Sequence, residues 1–265
     1  MSRKCQATVA NQHRFSTPGY SEIFSGFPDN QRDTNDKIPN PNPTVLGWLD
    51  ARPNFEGRVA AFTSWDAFPF ILNSKRDHLM VNAGWSGTLG ASGSTQAELL
   101  TNLAHGMPHY FPTVRFDAFT IHAALEYLQT EKPRVFYVSF AETDDWGHTG
   151  RYDLVLDAAH HGDRFIRNLW ETAQSIPQYA GKTTLLITTD HGRGETPSDW
   201  KSHKDEIPGS ERIWIATMGP DTPAKGVCRD QAVTLSQVAA TISTLLGEGY
   251  GEAVPNAAKP LPVMD

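Results

Sequence analysis

Four short apolar runs constrain the fold more than any other feature of this chain: residues 58–63 (RVAAFT), 134–140 (RVFYVSF), 183–189 (TTLLITT) and 212–218 (RIWIATM). Each is rich in β-branched or aromatic residues. A run that is continuously apolar, rather than alternating with polar residues, belongs to a strand covered on both faces. Helical spacing falls between and after these runs. Ala118, Ile121, Leu125 and Leu128 share one face, and Pro133 closes that helix. Tyr152, Val155, Ala159, Ile166, Leu169 and Ala173 mark a long amphipathic helix. Thr234 with Gln237 is a capping-box pattern that opens a helix carrying Leu235, Val238, Ile242 and Leu245. Strands alternating with helices specify an α/β fold: a mostly parallel central sheet with helices on both faces.

The remaining stretches fit around that frame. Residues 26–43 are rich in Asp, Asn and Pro and read as a surface loop. Short helices are expected at 43–49 and 67–72. Residues 74–115 are polar, Gly-rich and irregular, with one helix expected from Thr95 to Leu103. We read this segment as a cap insertion over one end of the sheet, within a single domain spanning 1–265. The net charge is −7, and the absence of a Lys/Arg run argues against a nucleic-acid surface. No stretch approaches the ~18 apolar residues of a membrane span. Two cysteines, Cys5 and Cys228, make no disulfide framework and leave the redox compartment open. The first ten residues carry basic side chains but no apolar core, so they do not read as a secretory signal, and localisation stays open.

Ligands of open α/β sheets sit beyond the carboxyl ends of the strands, and two of the runs end in metal-ligating residue types. The first leads into Asp144 and His148, four apart and so on one face of a helical turn. The other ends in Asp190-His191-Gly192, where the glycine permits a tight turn. His203 follows in a polar loop. Each of these has a plain structural reading when taken alone. Together, two carboxylates and three histidines form a mixed O/N set suited to Zn²⁺ and, more loosely, to Mn²⁺ or Fe. Ser16 precedes Thr17-Pro18-Gly19. It is either a capped turn or a nucleophile at a helix N-terminus, where exposed N–H groups favour an anion. His105 and His109 flank Pro108 and are read as structural, as are His160 and His161.

These pieces, in this order, resemble the alkaline phosphatase superfamily, which holds phosphatases, nucleotide pyrophosphatase/phosphodiesterases, phosphonate hydrolases, sulfatases and cofactor-independent phosphoglycerate mutases. The match consists of Ser16-x-Pro18-Gly19 with Gly26, Asp144-x-x-Gly147-His148, Thr189-Asp190-His191-Gly192, and His203. The resemblance implies a site for two divalent ions, Zn first, with Mn, Fe or Ca as alternatives. Asp144, His148 and His203 match the ligands of one ion. Asp190, His191 and Ser16 match ligands of the other. It further implies a metal-dependent hydrolase of phosphate esters, with Ser16 as nucleophile forming a phosphoseryl intermediate and a small-molecule phosphoester or sulfoester as substrate. A sulfatase, a phosphonate hydrolase or a catalytically impaired metal-binding remnant is the alternative.

Departures from the family sharpen these expectations. Tyr20 stands where sulfatases carry Arg, and Asp190-His191 stands where they commonly carry Asp-Asn. Both favour a two-metal phosphoesterase. The mutases resemble the chain less, because their nucleophile motif differs from Ser16-Thr17-Pro18. The family's first strand ends in an Asp ligand before the nucleophile. Here nothing from Met1 to Phe15 is acidic, and no strand is expected before Ser16. The innermost strand and one ligand are therefore expected to be missing, which reads as an N-terminally truncated or mis-started domain; the alternatives are an in-chain substitute such as Asp29 or Asp33, or a one-metal remnant.

Overall fold

The run at 58–63 forms the strand in which every residue is buried, and much of the architecture is arranged around it. The computed structural model describes residues 6–85, 87–227 and 231–262. Cys5 and Cys228 lie outside the described residues. In chain order the elements begin with β1 (Gln6–Thr8), α1 (Ser16–Ser25), α2 (Val45–Asp50), β2 (Val59–Thr63), α3 (Phe68–Ile71), α4 (Ser74–Asp77) and β3 (Met80–Ala83). There follow α5 (Thr95–His105), α6 (Asp117–Thr130), β4 (Val135–Ser139), α7 (Glu142–His148) and α8 (Tyr152–Ser175). The last are β5 (Leu185–Thr188), β6 (Arg212–Ile213), β7 (Ile215–Met218), β8 (Ala232–Thr234), α9 (Gln237–Leu245) and α10 (Tyr250–Ala253). Among the described residues no helix is long and apolar enough to cross a membrane. The chain divides into two compact units, one made of 1–36, 40–48 and 181–265, the other of 37–39 and 49–180.

In the second unit β2 lies between β3 and β4 and is parallel to both, with Ala61 opposite Val81 and Tyr137. Parallel neighbours need crossovers, and the helices α3 to α6 supply them. Phe62 of β2 packs with Trp85, Leu89, Ala104, Ala123 and Ala124 in one buried cluster, against which Phe136 and Tyr127 close. The Tyr127 and Phe136 rings stack at 6.2 Å and 10°. The segment 74–115, expected to be irregular apart from one helix, contains the sheet strand β3. Four residues with Asn82 among them are too short and too polar to read as a buried strand. Asn82 is tolerated there because its amide donates to Thr88 O (2.6 Å) and its Oδ1 accepts from Arg115 (2.5 Å).

In the first unit β1 lies between β6 and β8, antiparallel to β6 and parallel to β8. This corrects the expectation that no strand precedes Ser16. A three-residue strand of Gln, Ala and Thr has no apolar run to betray it, and residues 9–15 after it carry no carboxylate. The run at 212–218 is also not a parallel strand: β7 pairs antiparallel with β5, Ile187 opposite Ala216. Helix α9 packs on α1. The helix opens later than the capping-box pattern places it: Thr234 ends β8, Ser236 is the N-cap and Leu235 precedes the helix, although Gln237 Oε1 accepts from Thr234 N–H at 3.0 Å.

Glu22 of α1 ties these pieces together. Its carboxylate is fully buried and accepts from Ala10 N, Asn11 N, Asn11 Nδ2, Ser236 N and Ser236 Oγ at 2.7–3.0 Å. The turn after β1 and the turn after β8 thus share one acceptor. Glu22→Ala leaves these buried donors unsatisfied and is expected to cost more than about 3 kcal/mol, read by urea denaturation. A loss below about 1 kcal/mol would show that the anchor contributes little.

Gly19 lets α1 approach the end of β5. A Cβ at this position would lie 2.2 Å from Asp190 O, a backbone atom that cannot swing away. Gly162, in the middle of α8, has open space around its Cβ position. Gly19→Ala is therefore expected to destabilise by about 1–3 kcal/mol. Gly162→Ala is expected to be neutral or to stabilise by up to about 1 kcal/mol through helix propensity. Thermal melts of the two variants check the contrast in sign.

Candidate metal centre

The turn between β1 and α1 sets up Ser16. Asn11 Oδ1 accepts from Arg14 N–H at 2.8 Å, and Arg14 adopts a left-handed backbone with φ 55°, a conformation that costs energy for a residue with a side chain. The chain then reverses at Phe15 and enters α1 with Ser16 as its first residue. Pro18 falls in the first turn, where its missing N–H costs nothing. Thr17 N–H, one of the helix's orphan donors, is met at 3.0 Å by Asn35 Oδ1 from the 26–43 loop.

His191 is presented to this helix start from the end of β5. Its Nδ1 is 2.9 Å from Gly192 O. A carbonyl only accepts, so Nδ1 carries the proton and Nε2 bears the lone pair. Nε2 lies 3.5 Å from both Ser16 Oγ and Asp190 Oδ2. His191 Nε2 thus has two oxygen ligand types within 3.5 Å, and the donor chemistry of the set, with the imidazole in the tautomer a cation requires, fits a divalent metal. Gly192 is confined by backbone: its Cβ would lie 2.3 Å from Arg212 O and from Gly209 O. The loop beyond is folded back by Gly192 N to Ser210 O and Gly194 N to Ser202 O. That fold stacks the buried ring of His203 on His191, centroids 4.1 Å apart.

In the second unit, two residues separate the end of β4 from α7, which displays Asp144 and His148 on one face. His148 Nε2 is 3.2 Å from Asp144 Oδ2, so the four-residue spacing does bring two ligand atoms together. Next to them Asp145 is half-buried, and its Oδ2 has no hydrogen-bond partner among the described residues. Burial, then Asp144 and Asp117, push its carboxyl up to about 7.

Asp117, at the start of α6, is buried and accepts from Ser64 Oγ (2.6 Å), Ala141 N (2.9 Å) and Glu142 N (3.2 Å). Burial, then Glu142, push its carboxyl up to about 7 against those hydrogen bonds. Arg115 is buried nearby, and burial pulls its guanidinium down to about 9 although Asp117 favours the charge.

The other candidates are placed elsewhere. Asp29 accepts from Gln31 N and Asn42 Nδ2 within its own loop, and Asp33 is an exposed loop residue. His109 stacks on Trp85 at 3.9 Å and approaches Ala104 O, while His105 approaches Trp85 O. His160 and His161 sit exposed on α8. Sequence reasoning passed over Asn35, Glu22, Arg115 and Asp117. A loop asparagine carries no sequence signal, and an acid in a first helical turn reads as ordinary dipole compensation.

Residues 112–248, just over half of the chain, match the family model described as the metalloenzyme superfamily. A curated relative from Leptospira interrogans, named a probable 2,3-bisphosphoglycerate-independent phosphoglycerate mutase, is 24% identical over 262 aligned residues, which cover 86% of this chain and 46% of that protein. The chain therefore spans about half the length of that relative. The mutases, which the nucleophile motif had ranked lower, are thus among the sequence relatives; the family match lies beyond Ser16 and does not depend on that motif. Among solved structures, a 2-O GAG sulfatase superposes with TM-score 0.55 at 13% identity, over 94% of this chain and 64% of that one. The alkaline phosphatase of the Antarctic bacterium TAB5 superposes with TM-score 0.53 at 12% identity, over 93% and 88%. These likenesses show the fold, an α/β fold of the sulfatase and alkaline phosphatase kind. With Asp144, His148, Asp190, His191 and His203 all inside the matched residues, the chain belongs to the metalloenzyme superfamily.

Proposed function

We propose that this chain carries a metal-dependent phosphoryl-transfer activity, hydrolysis of a small-molecule phosphoester, with Ser16 as nucleophile. The observation that carries the reading is the placement of Ser16 Oγ at the start of α1, 3.5 Å from a His191 Nε2 whose lone pair is fixed toward it. In this reading Asp190, His191 and Ser16 hold one divalent ion, and Asp144, His148 and His203 hold a second. Two divalent ions, when bound, supply the charge neutralisation and hydroxyl acidification that an in-line displacement at phosphorus needs. Ser16 Oγ then bonds to phosphorus as the ester oxygen leaves, and water later breaks the phosphoserine bond. Helix α1 offers its first-turn dipole to the anionic phosphoryl group. Asn35 holds the Thr17 end of that turn in place.

A second reading follows from the Leptospira interrogans relative: the phosphoryl group on Ser16 returns to a hydroxyl of the substrate instead of passing to water. Tyr20, in place of the arginine of sulfatases, supports phosphorus over sulfur in either case.

The test uses the full chain loaded with Zn²⁺ or Mn²⁺ and assayed with an aryl phosphate, an aryl sulfate and 3-phosphoglycerate. Hydrolysis of the phosphate, its loss on chelation, and a drop of at least about 10³-fold in Ser16→Ala are expected. Acid quench should trap phosphate on Ser16 by mass spectrometry. Isomerised phosphoglycerate without hydrolysis would favour the mutase reading. Undiminished turnover in Ser16→Ala would overturn the nucleophile assignment.

A further inference from the structure

A buried cation and a buried anion in the second unit are joined through two hydroxyl groups. Arg115 is fully buried. Its Nε–H donates to Thr120 Oγ1 at 2.8 Å, Thr120 Oγ1 lies 2.7 Å from Ser64 Oγ, and Ser64 Oγ donates to Asp117 Oδ1 at 2.6 Å. The other guanidinium donors go to Asn82 Oδ1, Asn82 O and Gly84 O. A guanidinium can only donate, and both Asp117 oxygens are taken up as acceptors by Ser64 Oγ, Ala141 N and Glu142 N. The protons in between are therefore ordered, Thr120 giving to Ser64 and Ser64 giving to Asp117. Such a chain has one low-energy arrangement, and each hydroxyl is polarised by the charge behind it.

The far end of this chain is the first turn of α7. Asp117 accepts from Ala141 N and Glu142 N. In return Glu142 Oε2 accepts from Asp117 N at 3.0 Å, and Glu142 Oε1 accepts from the Trp146 indole N–H at 3.3 Å. A seven-residue helix is too short to hold itself, and its first N–H groups have no partners of their own. Packing on α8 holds the body of α7, and the exchange with Asp117 sets its first turn.

We propose that Asp117 is a positioning residue for the metal centre: anchored through Ser64 and Thr120 to Arg115, it sets the first turn of α7 and with it the aim of Asp144 and His148 toward one divalent ion. This rests on reading those two residues as ligands of that ion. Asp117 itself touches neither the ion nor the substrate. Its effect is on how well a pre-formed pair of ligand atoms is presented.

The experiment measures Zn²⁺ affinity of the full chain by competition with a chromophoric chelator, with thermal melts in parallel. His148→Ala identifies the ion in question by abolishing its tight binding. Asp117→Ala is expected to raise the Kd of that same ion about 10- to 100-fold. Ser64→Ala, which removes the link to Arg115, is expected to raise it about 3- to 10-fold. Asp117→Asn keeps one acceptor oxygen for Ser64 and Ala141 and should restore most of the affinity. Glu126→Gln alters another buried carboxylate of α6, one bonded to Ala91 N and not to α7; it should lower the melting temperature without moving the Kd. Unchanged Kd in Asp117→Ala, with His148→Ala defective, overturns the positioning role while leaving the ligands standing. An equal Kd shift in Glu126→Gln overturns it as general destabilisation. Tight binding retained in His148→Ala removes the ligand reading and this proposal together. If Asp117→Ala does not fold, Ser64→Ala decides, and an unchanged Kd there overturns the proposal.

Discussion

Buried carboxylates that collect backbone N–H groups at the ends of strands are what the functional segments depend on. A chain leaving a buried strand exposes peptide donors where no water can reach them, and these must be paired. In the first unit Glu22 accepts from the turn after β1 and the turn after β8. In the second, Asp117 accepts from the turn after β4. Glu22 sits on α1, which packs on α9, and Asp117 on α6, which packs on β2 and β4. Each thereby fixes the direction in which the next segment leaves: toward Ser16 in one case, toward Asp144 and His148 in the other.

Close backbone approach is the second constraint, and it explains the glycines of the motifs. At Gly19 and Gly192 a side chain would meet carbonyl oxygens at 2.2–2.3 Å. Those contacts let α1 lie against Asp190 and let the loop carrying His203 fold back on His191. The chemistry then needs little apparatus. His191 is oriented by its neighbour's carbonyl, in the way a metal-ligating imidazole is ordinarily held by a hydrogen bond at its other nitrogen. Arg115 and Asp117 are both buried, where charge is poorly shielded. Their separation by two hydroxyls spares the protein a direct ion pair but commits it to a single proton arrangement.

Much of the fold was legible because an apolar run leaves a plain mark, whether the strand is buried throughout, as β2 is, or half-buried, as β4 and β5 are. The runs at 58–63, 134–140 and 183–189 became β2, β4 and β5, and the helical spacings became α6, α8 and α9. Strands β1 and β3 were not legible. They are three and four residues long; β1 is held by a neighbour on either side and β3 by its pairing with β2, not by apolar runs of their own. The antiparallel pairing of β7 was equally hidden, since an apolar run records burial and not direction. Around the candidate centre, the i,i+4 spacing of Asp144 and His148 foretold their approach. Nothing local in the sequence linked Asn35 to Thr17.

The sequence by itself determined the class of fold, the residue types available for metal chemistry and the order in which they come, because hydrophobic period and donor chemistry are properties of short stretches. Tertiary structure decided which of those residues face one another and in which protonation state. Ser16 and His191 are brought together across more than 170 intervening residues. The His191 tautomer follows from one carbonyl, and the aim of α7 from a carboxylate on another helix. Such outcomes depend on which buried donors are left over once the strands have paired. That remainder is a property of the packed chain, and no window of sequence contains it.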